Sequence, residues 1–386
     1  MKKEDVAGLF AWIVILGGAV AYFFLAIRPH ATYSYVLDNS NWFLYVLYYI
    51  SAIFLGVIIN SVLFELAHIC GAKIGRYDVV SVNMMGFNFY KENGKTKFHF
   101  SSFDGLTGET KILPKKEAKK EPNPSSFLLF GSLFYGVEIV IIIFAFLLMK
   151  TNASNNSLLL DWAYFILTIG VVGAGILFYN IIPFRLDSLT DGYRLRLVGS
   201  RKNRKAFNNL LYAEVTGQID KEEEEKHFKE EKETNFSTDI NLNKAYMLLS
   251  EEKYNEAEVI LKDIVSNKKS SKKIVANAEN QIIYINIYTK SVEEAQIYYD
   301  ENVNMQKRRE ISDDSSMGAI RTYILMSGLL DKSNSECYRA LEKSKRAYKR
   351  VLEQRKPLEK KLFNEALQRV INAHPNWEGL SEYIIQ

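Results

Sequence analysis

Cysteine is scarce in this 386-residue chain, which has two, Cys70 and Cys337. They lie far apart, one in an apolar stretch and one in a charged half. Neither a disulfide framework nor a cysteine-rich metal site follows, and two reduced thiols facing the cytoplasm are expected. An excess of one charge is lacking too. Lys and Arg number 49 against 45 Asp and Glu, a net +4, which gives no ground for nucleic acid as a partner. There is no Gly-rich phosphate loop, no nucleotide fingerprint and no Ser-His-Asp arrangement. Nucleotide chemistry and serine-type hydrolysis therefore have no footing.

What the chain has instead is apolar length. The mean hydropathy of −0.11 averages a greasy, aromatic first half with a charged second half. Four stretches, about 7–27, 42–70, 126–149 and 159–183, reach the roughly 20 residues that a membrane-spanning helix needs. The first follows "MKKED" and could pass for a signal peptide, but it is long and no small-residue cleavage site follows, so it reads as a retained span. Basic residues crowd 72–125 and the segment after 183, whereas 28–41 and 150–158 are nearly uncharged. The positive-inside rule then places both termini and both basic segments in the cytoplasm of a multi-pass cell-membrane protein. The run "RKNRK" at 201–205 fits the same rule or contact with anionic membrane lipid.

The loop between spans two and three alternates in polarity and carries the hairpin signal "ENGK" at 92–95, so 78–113 reads as a small β-rich insert. "FDGLTGETKIL" (103–113) reads as a turn and a further strand, and "PKKEAKKEPNP" (114–124) as a polar linker.

At the end of span two stands "LFELAHICGAKIGR", 63–76. A helical zinc-protease motif, H-E-x-x-H, puts two imidazoles one turn apart on one face with a Glu beside them to activate water. Here Glu65 and His68 are in place and Phe64 stands where the first His belongs. At the end of span four lies "NIIPFRLDSLTDGYRL", 180–195. The two stretches together, at one end of their spans with a β-rich insert between, resemble the site-2 protease family of intramembrane metalloproteases, which pairs H-E-x-x-H with a later N-x-x-P…D-G motif. Asn180, Pro183, Asp191 and Gly192 match the second motif, with a longer gap before Asp-Gly. "GLTGET" (105–110) is similar to a Gly-rich strand segment of bacterial members.

The resemblance covers about 40–200 and implies His68 and Asp191 as metal ligands and Glu65 as general base. Phe64 cannot bind metal, and two ligands fall short of an ordinary zinc site. Asp187, four residues before Asp191, could add a carboxylate, a set that would suit a harder ion. The expectation is therefore a pseudoprotease that binds a membrane segment or a membrane-anchored peptide or protein, with zinc as the one cofactor the resemblance leaves open. The alternative is an active metalloendopeptidase with an unusual ligand set, and a third reading is a structural or transport accessory. Plain structural accounts stand beside these roles: Asp191-Gly192 as a turn, Asn180 as an amide on helix-end carbonyls, Glu138 as an interhelical hydrogen bond.

The second half changes character. The stretch 206–235, with "DKEEEEKHFKEEKET" at 220–234, reads as a charged linker. From 236 to 386 helix follows helix. Ala245, Leu248 and Leu249, then Tyr254, Ala257, Leu261 and Ile264, resemble a tetratricopeptide repeat. Val292 and Ala295 take the Tyr254 and Ala257 places in a second copy, spaced more widely by an insertion at "NKKSSKK" (267–273). A degenerate third pair falls near 315–350, and a last helix at 362–380 ends near Pro375. The class expected is mainly α: a membrane core (1–205), the linker, and a solenoid-like repeat domain that recruits a cytoplasmic protein.

Overall fold

The computed structural model describes residues 3–100, 108–115, 121–153, 156–183, 190–219, 235–267 and 270–386. The chain is mainly helical and divides into two compact units, Met1–Asn208 and Asn209–Gln386.

The first unit holds four helices long and apolar enough to cross a membrane: Gly8–Tyr33, Trp42–Ile74, Pro124–Asn152 and Ser157–Ile181. The first of these opens as α1 (Lys3–Tyr22) and continues through a π turn at Phe23–Ile27. The others are α2 (Trp42–Ile74), α3 (Pro124–Asn152) and α4 (Ser157–Ile181). Their starts carry side-chain caps. Asn41 accepts from the Leu44 N–H and Asn156 from the Leu159 N–H, each at 3.0 Å. Large apolar side chains such as Leu25, Phe43 and Val140 face outward, as an apolar solvent requires. The inward stripe of α2 runs through Tyr45, Tyr49, Ala52, Gly56 and Asn60, spaced at three and four as one helical face demands. Small residues bring the helices close: a β-carbon on Gly56 would lie 3.3 Å from the Ile169 backbone and Val172. Asn60 binds the three helices together. Its side-chain amide donates to the carbonyls of Gly56 (2.7 Å) and Ile169 (3.2 Å), and its backbone carbonyl accepts from Tyr135 Oη at 2.8 Å.

The insert is a four-stranded antiparallel sheet in the order β3-β2-β1-β4, with β1 Tyr77–Met84, β2 Phe87–Glu92, β3 Lys95–Phe100 and β4 Gly108–Pro114. Asn93 (φ 50) and Gly94 (φ 72) make the tight turn that "ENGK" signals. A second turn of the same kind, Met85 (φ 52) and Gly86 (φ 86), divides β1 from β2. The fourth strand starts inside the expected 103–113 and runs one residue beyond it, to Pro114; 103–107 fall outside the described residues.

Two short helices follow, α5 (Asp191–Leu197) and α6 (Arg201–Thr216). The sequence reading gave linker from 206; the structure gives helix to Thr216. Ala206, Phe207, Leu210 and Ala213 are buried, a three-and-four spacing that follows directly on the basic run 201–205. The charge run 220–234 lies outside the described residues.

The second unit contains α7 (Asn235–Ser250), α8 (Tyr254–Ser266), α9 (Lys272–Thr289), α10 (Val292–Asn302), α11 (Met305–Asp313), α12 (Met317–Leu325), α13 (Asn334–Arg350) and α14 (Lys356–Ala373). Ala257 and Ala295 are both buried. Every residue of α12 is buried, Arg321 included. That cation pairs with Glu359 at 3.3 Å, donates to Gln281 and lies over the rings of Tyr284 (4.9 Å) and Tyr246 (5.3 Å). The last helix starts at Lys356, earlier than expected, and ends before Pro375. It is tied back to α7: Lys361 Nζ donates to the Ser250 carbonyl at 2.6 Å, and Arg355 to Asn243 Oδ1 at 3.3 Å.

Candidate functional site

At 1.5 Å per residue, Phe64 lies about 33 Å along α2 from Trp42, so a helix entering a hydrocarbon layer about 30 Å thick at Trp42 would bring Phe64 to its far face. There the end of α2 meets α3, β4 and α5, and these elements gather Phe64, Glu65, His68 and Asp191.

Glu65 is buried and faces the sheet. Thr110 Oγ1 on β4 donates to its Oε2, and Gly108 lies so close that a β-carbon would clash with the Glu65 side chain. The strand thus holds the carboxylate in place. His68 is buried one turn on. Its Nδ1 donates to the Phe127 carbonyl of α3 at 2.9 Å; a carbonyl can only accept, so the proton belongs on Nδ1. Its Nε2 then faces Asp191 Oδ2 at 3.3 Å, with both side chains at least nine-tenths buried. The contact is close but not aligned as a hydrogen bond. A bare ring nitrogen against a carboxylate repels it unless a proton or a cation stands between them.

Asp191 opens α5, where Thr190 is the cap. The Thr190 hydroxyl donates to the Ile182 carbonyl at 2.7 Å and accepts from the Tyr193 N–H at 3.3 Å. Gly192 is required for this fold-back, because a β-carbon there would meet the Ile181 carbonyl head-on. Asn180 donates to the Ile176 carbonyl at 3.2 Å within its own helix, the helix-end role open to it from sequence. Pro183 follows the end of α4. Asp187 lies outside the described residues. Cys70 is exposed on α2.

Position 64 is filled by a packed aromatic ring. The Phe64 ring stacks on Tyr135 with centroids 5.4 Å apart, meets the edge of His68 at 4.3 Å, and presses on Gly131. Of the three side chains at the end of α2, one is thus a hydrocarbon ring, one is bound to Thr110 and one faces Asp191. Among the described residues no three His, Cys, Asp or Glu side chains converge as metal ligands do. Of the donors that the resemblance implies, the described residues bring together His68 and Asp191, fewer than the three protein donors and a water of a catalytic zinc site.

Thr110, Gly108, Phe127, Gly131 and Tyr135 escaped the sequence reading as parts of this site. "GLTGET" was the one signal, since it contains Gly108 and Thr110. Comparison with protein-family models, with curated proteins and with solved structures gives no match for this chain.

Proposed function

We propose that the first unit is a non-cleaving relative of the site-2 proteases, seated in the cell membrane with both termini in the cytoplasm. In this reading it holds a membrane-anchored peptide or protein without hydrolysing it. The helical unit, read as tetratricopeptide-like repeats, recruits a cytoplasmic protein. The observation that supports this best is the Phe64 ring packed between Tyr135, His68 and Gly131, which closes the position a third metal donor would need. Retention of Glu65 against Thr110 and of His68 against Asp191 fits a core whose polar contacts now hold its shape. The β4 strand pairs with β1 on one side and has no other strand partner among the described residues. An extended peptide added there would run beside Glu65.

Three measurements test the reading. The purified full chain should carry no stoichiometric zinc, and a chelator should leave its melting unchanged. A photo-crosslinker at Glu109 on β4 should capture membrane-anchored proteins at full length, whereas one at the outward-facing Val140 should not. Cysteines placed at Asn39 and Thr151 should react with an impermeant reagent from outside the cell, and one at Asn93 should not. One zinc per chain, lost on His68→Ala or Asp191→Ala and accompanied by shortened adducts, would overturn the proposal in favour of a working metalloendopeptidase.

A further inference from the structure

A second polar feature lies on the same end of the first unit as the sheet, outside the site just described. Where α2 stops and α3 begins, the chain leaves a cleft of about 300 Å³ lined by Ile74, Arg76, Glu121, Asn123, Ser126 and Arg204 among others, near the lower limit of ordinary ligand clefts. Its walls are well fixed. The Asn123 N–H donates to the Gly75 carbonyl at 3.0 Å. Asn208 of α6 accepts from Tyr77 Oη at 2.5 Å and donates to the Pro122 carbonyl at 3.0 Å.

The charge in this cleft is unbalanced. Arg76 and Arg204 line it, and among the described residues neither makes an ion pair. The Arg204 Nε is buried with no hydrogen-bond partner, a costly condition for a guanidinium unless something supplies an acceptor. Glu121, the acid at the rim, lies 3.7 Å from Arg201 and so already has a cation. The first turn of the 29-residue helix α3 points its positive end at the same space. Arg76 sits at φ 68, a left-handed conformation that suits glycine and strains any residue with a β-carbon. A long cation at this position is not what the turn itself asks for.

We propose that this cleft binds a phosphate group, with Arg76 and Arg204 as its two cationic arms. The group could arrive as the headgroup of an anionic phospholipid or as a free phosphate. The exposed Ile74 at the lip of the cleft lets an acyl chain lie along α2 while the phosphate enters.

The test uses the full chain in neutral detergent. Native mass spectrometry measures retention of phosphatidylglycerol against phosphatidylcholine, and thermal unfolding is followed with added inorganic phosphate. The lipid source predicts a preference for phosphatidylglycerol that falls about five-fold in Arg76→Gly and again in Arg204→Gln, from about 1 kcal/mol per basic residue at a membrane surface. The free-phosphate source predicts stabilisation by inorganic phosphate that both variants lose, with no lipid preference. Arg76→Gly relieves the left-handed strain and should melt no lower than wild type, so its loss of binding cannot be a folding defect. Lys150→Gln, at the other end of α3, should change neither readout. The proposal is overturned if neither lipid retention nor phosphate stabilisation depends on Arg76 and Arg204, or if Lys150→Gln has an equal effect.

Discussion

Phe64 and Gly131 share one niche: the ring lies where a β-carbon on residue 131 would have to be. Gly131→Ala should therefore destabilise the first unit by about 1–3 kcal/mol, the usual cost of overpacking. In a Phe64→Leu background the added methyl meets a smaller side chain and the cost should shrink. The pair should thus show a coupling of at least about 0.5 kcal/mol. Melting of the four single and double variants in detergent measures it. Additive effects would mean that ring and glycine do not touch.

Phe64→His places an imidazole one turn before His68, with Glu65 beside it and Asp191 across from it. If α2 and α5 keep the geometry that sets His68 Nε2 3.3 Å from Asp191, the variant should bind zinc more tightly than wild type. The gain should vanish in Phe64→His/Asp191→Ala, because both donors must act on one ion. Zinc titration of the purified proteins decides it. No gain in a folded Phe64→His protein, or a gain indifferent to Asp191, would contradict the arrangement. Zinc binding need not bring proteolysis, because Thr110 already occupies the Glu65 carboxylate.

In the helical unit, Arg321 is fully buried and its ion pair with Glu359 is sealed from water. Arg321→Ala should cost about 3 kcal/mol, because it empties a fully buried site between the Tyr246 and Tyr284 rings and takes the donor from Gln281, while Glu359 keeps only Arg355, at 3.2 Å. Arg321→Met should cost less than Arg321→Ala, since it refills most of the volume while Glu359 keeps Arg355 as its cation. Urea melts of the full chain at the helical transition give both numbers.

Cys337 is buried, and burial pushes its thiol up to about 11, opposed by a hydrogen bond with Ser327. At pH 8 almost none of it is thiolate, so alkylation of the native chain should spare Cys337 until denaturant is added. Because the folded-state value is raised, the matching share of stability is complete below the unfolded thiol value of about 8.5. It is lost as pH climbs from there towards about 11. Cys337→Ala should flatten the decline in stability over that window. Alkylation of Cys337 in the native chain at the rate of a free thiol would refute its burial.

How far the sequence carried the reading depended on the range of the signal. Apolar length alone located the four spans, and Asn93-Gly94 announced its own turn because both residues tolerate positive φ. Met85-Gly86 gave half such a signal, since Met has no preference for that conformation, and the turn went unread. Glu65, His68 and Asp191 were legible as motif members. What each touches was not: Thr110 reaches Glu65 from 45 residues away, and nothing local in a strand says which helix it faces. Gly131 was invisible because small residues are ordinary in a membrane span. Nothing local marked Arg321 for burial, because its partners Gln281 and Glu359 lie about 40 residues away on either side, and the basic run 201–205 drew attention away from the buried stripe that follows it in α6.

The link between Lys361 and the Ser250 carbonyl, with that from Arg355 to Asn243, joins the helix that closes the second unit to the one that opens its run from 235. An open stack of helical pairs can lengthen by duplicating a pair at either end, because each pair needs only its neighbour. Here both ends are engaged with each other, so an added pair would have to break those bonds before it could dock. Such a unit tolerates change inside its helices and at its surface but resists change in their number, and its history should show substitution far more than growth.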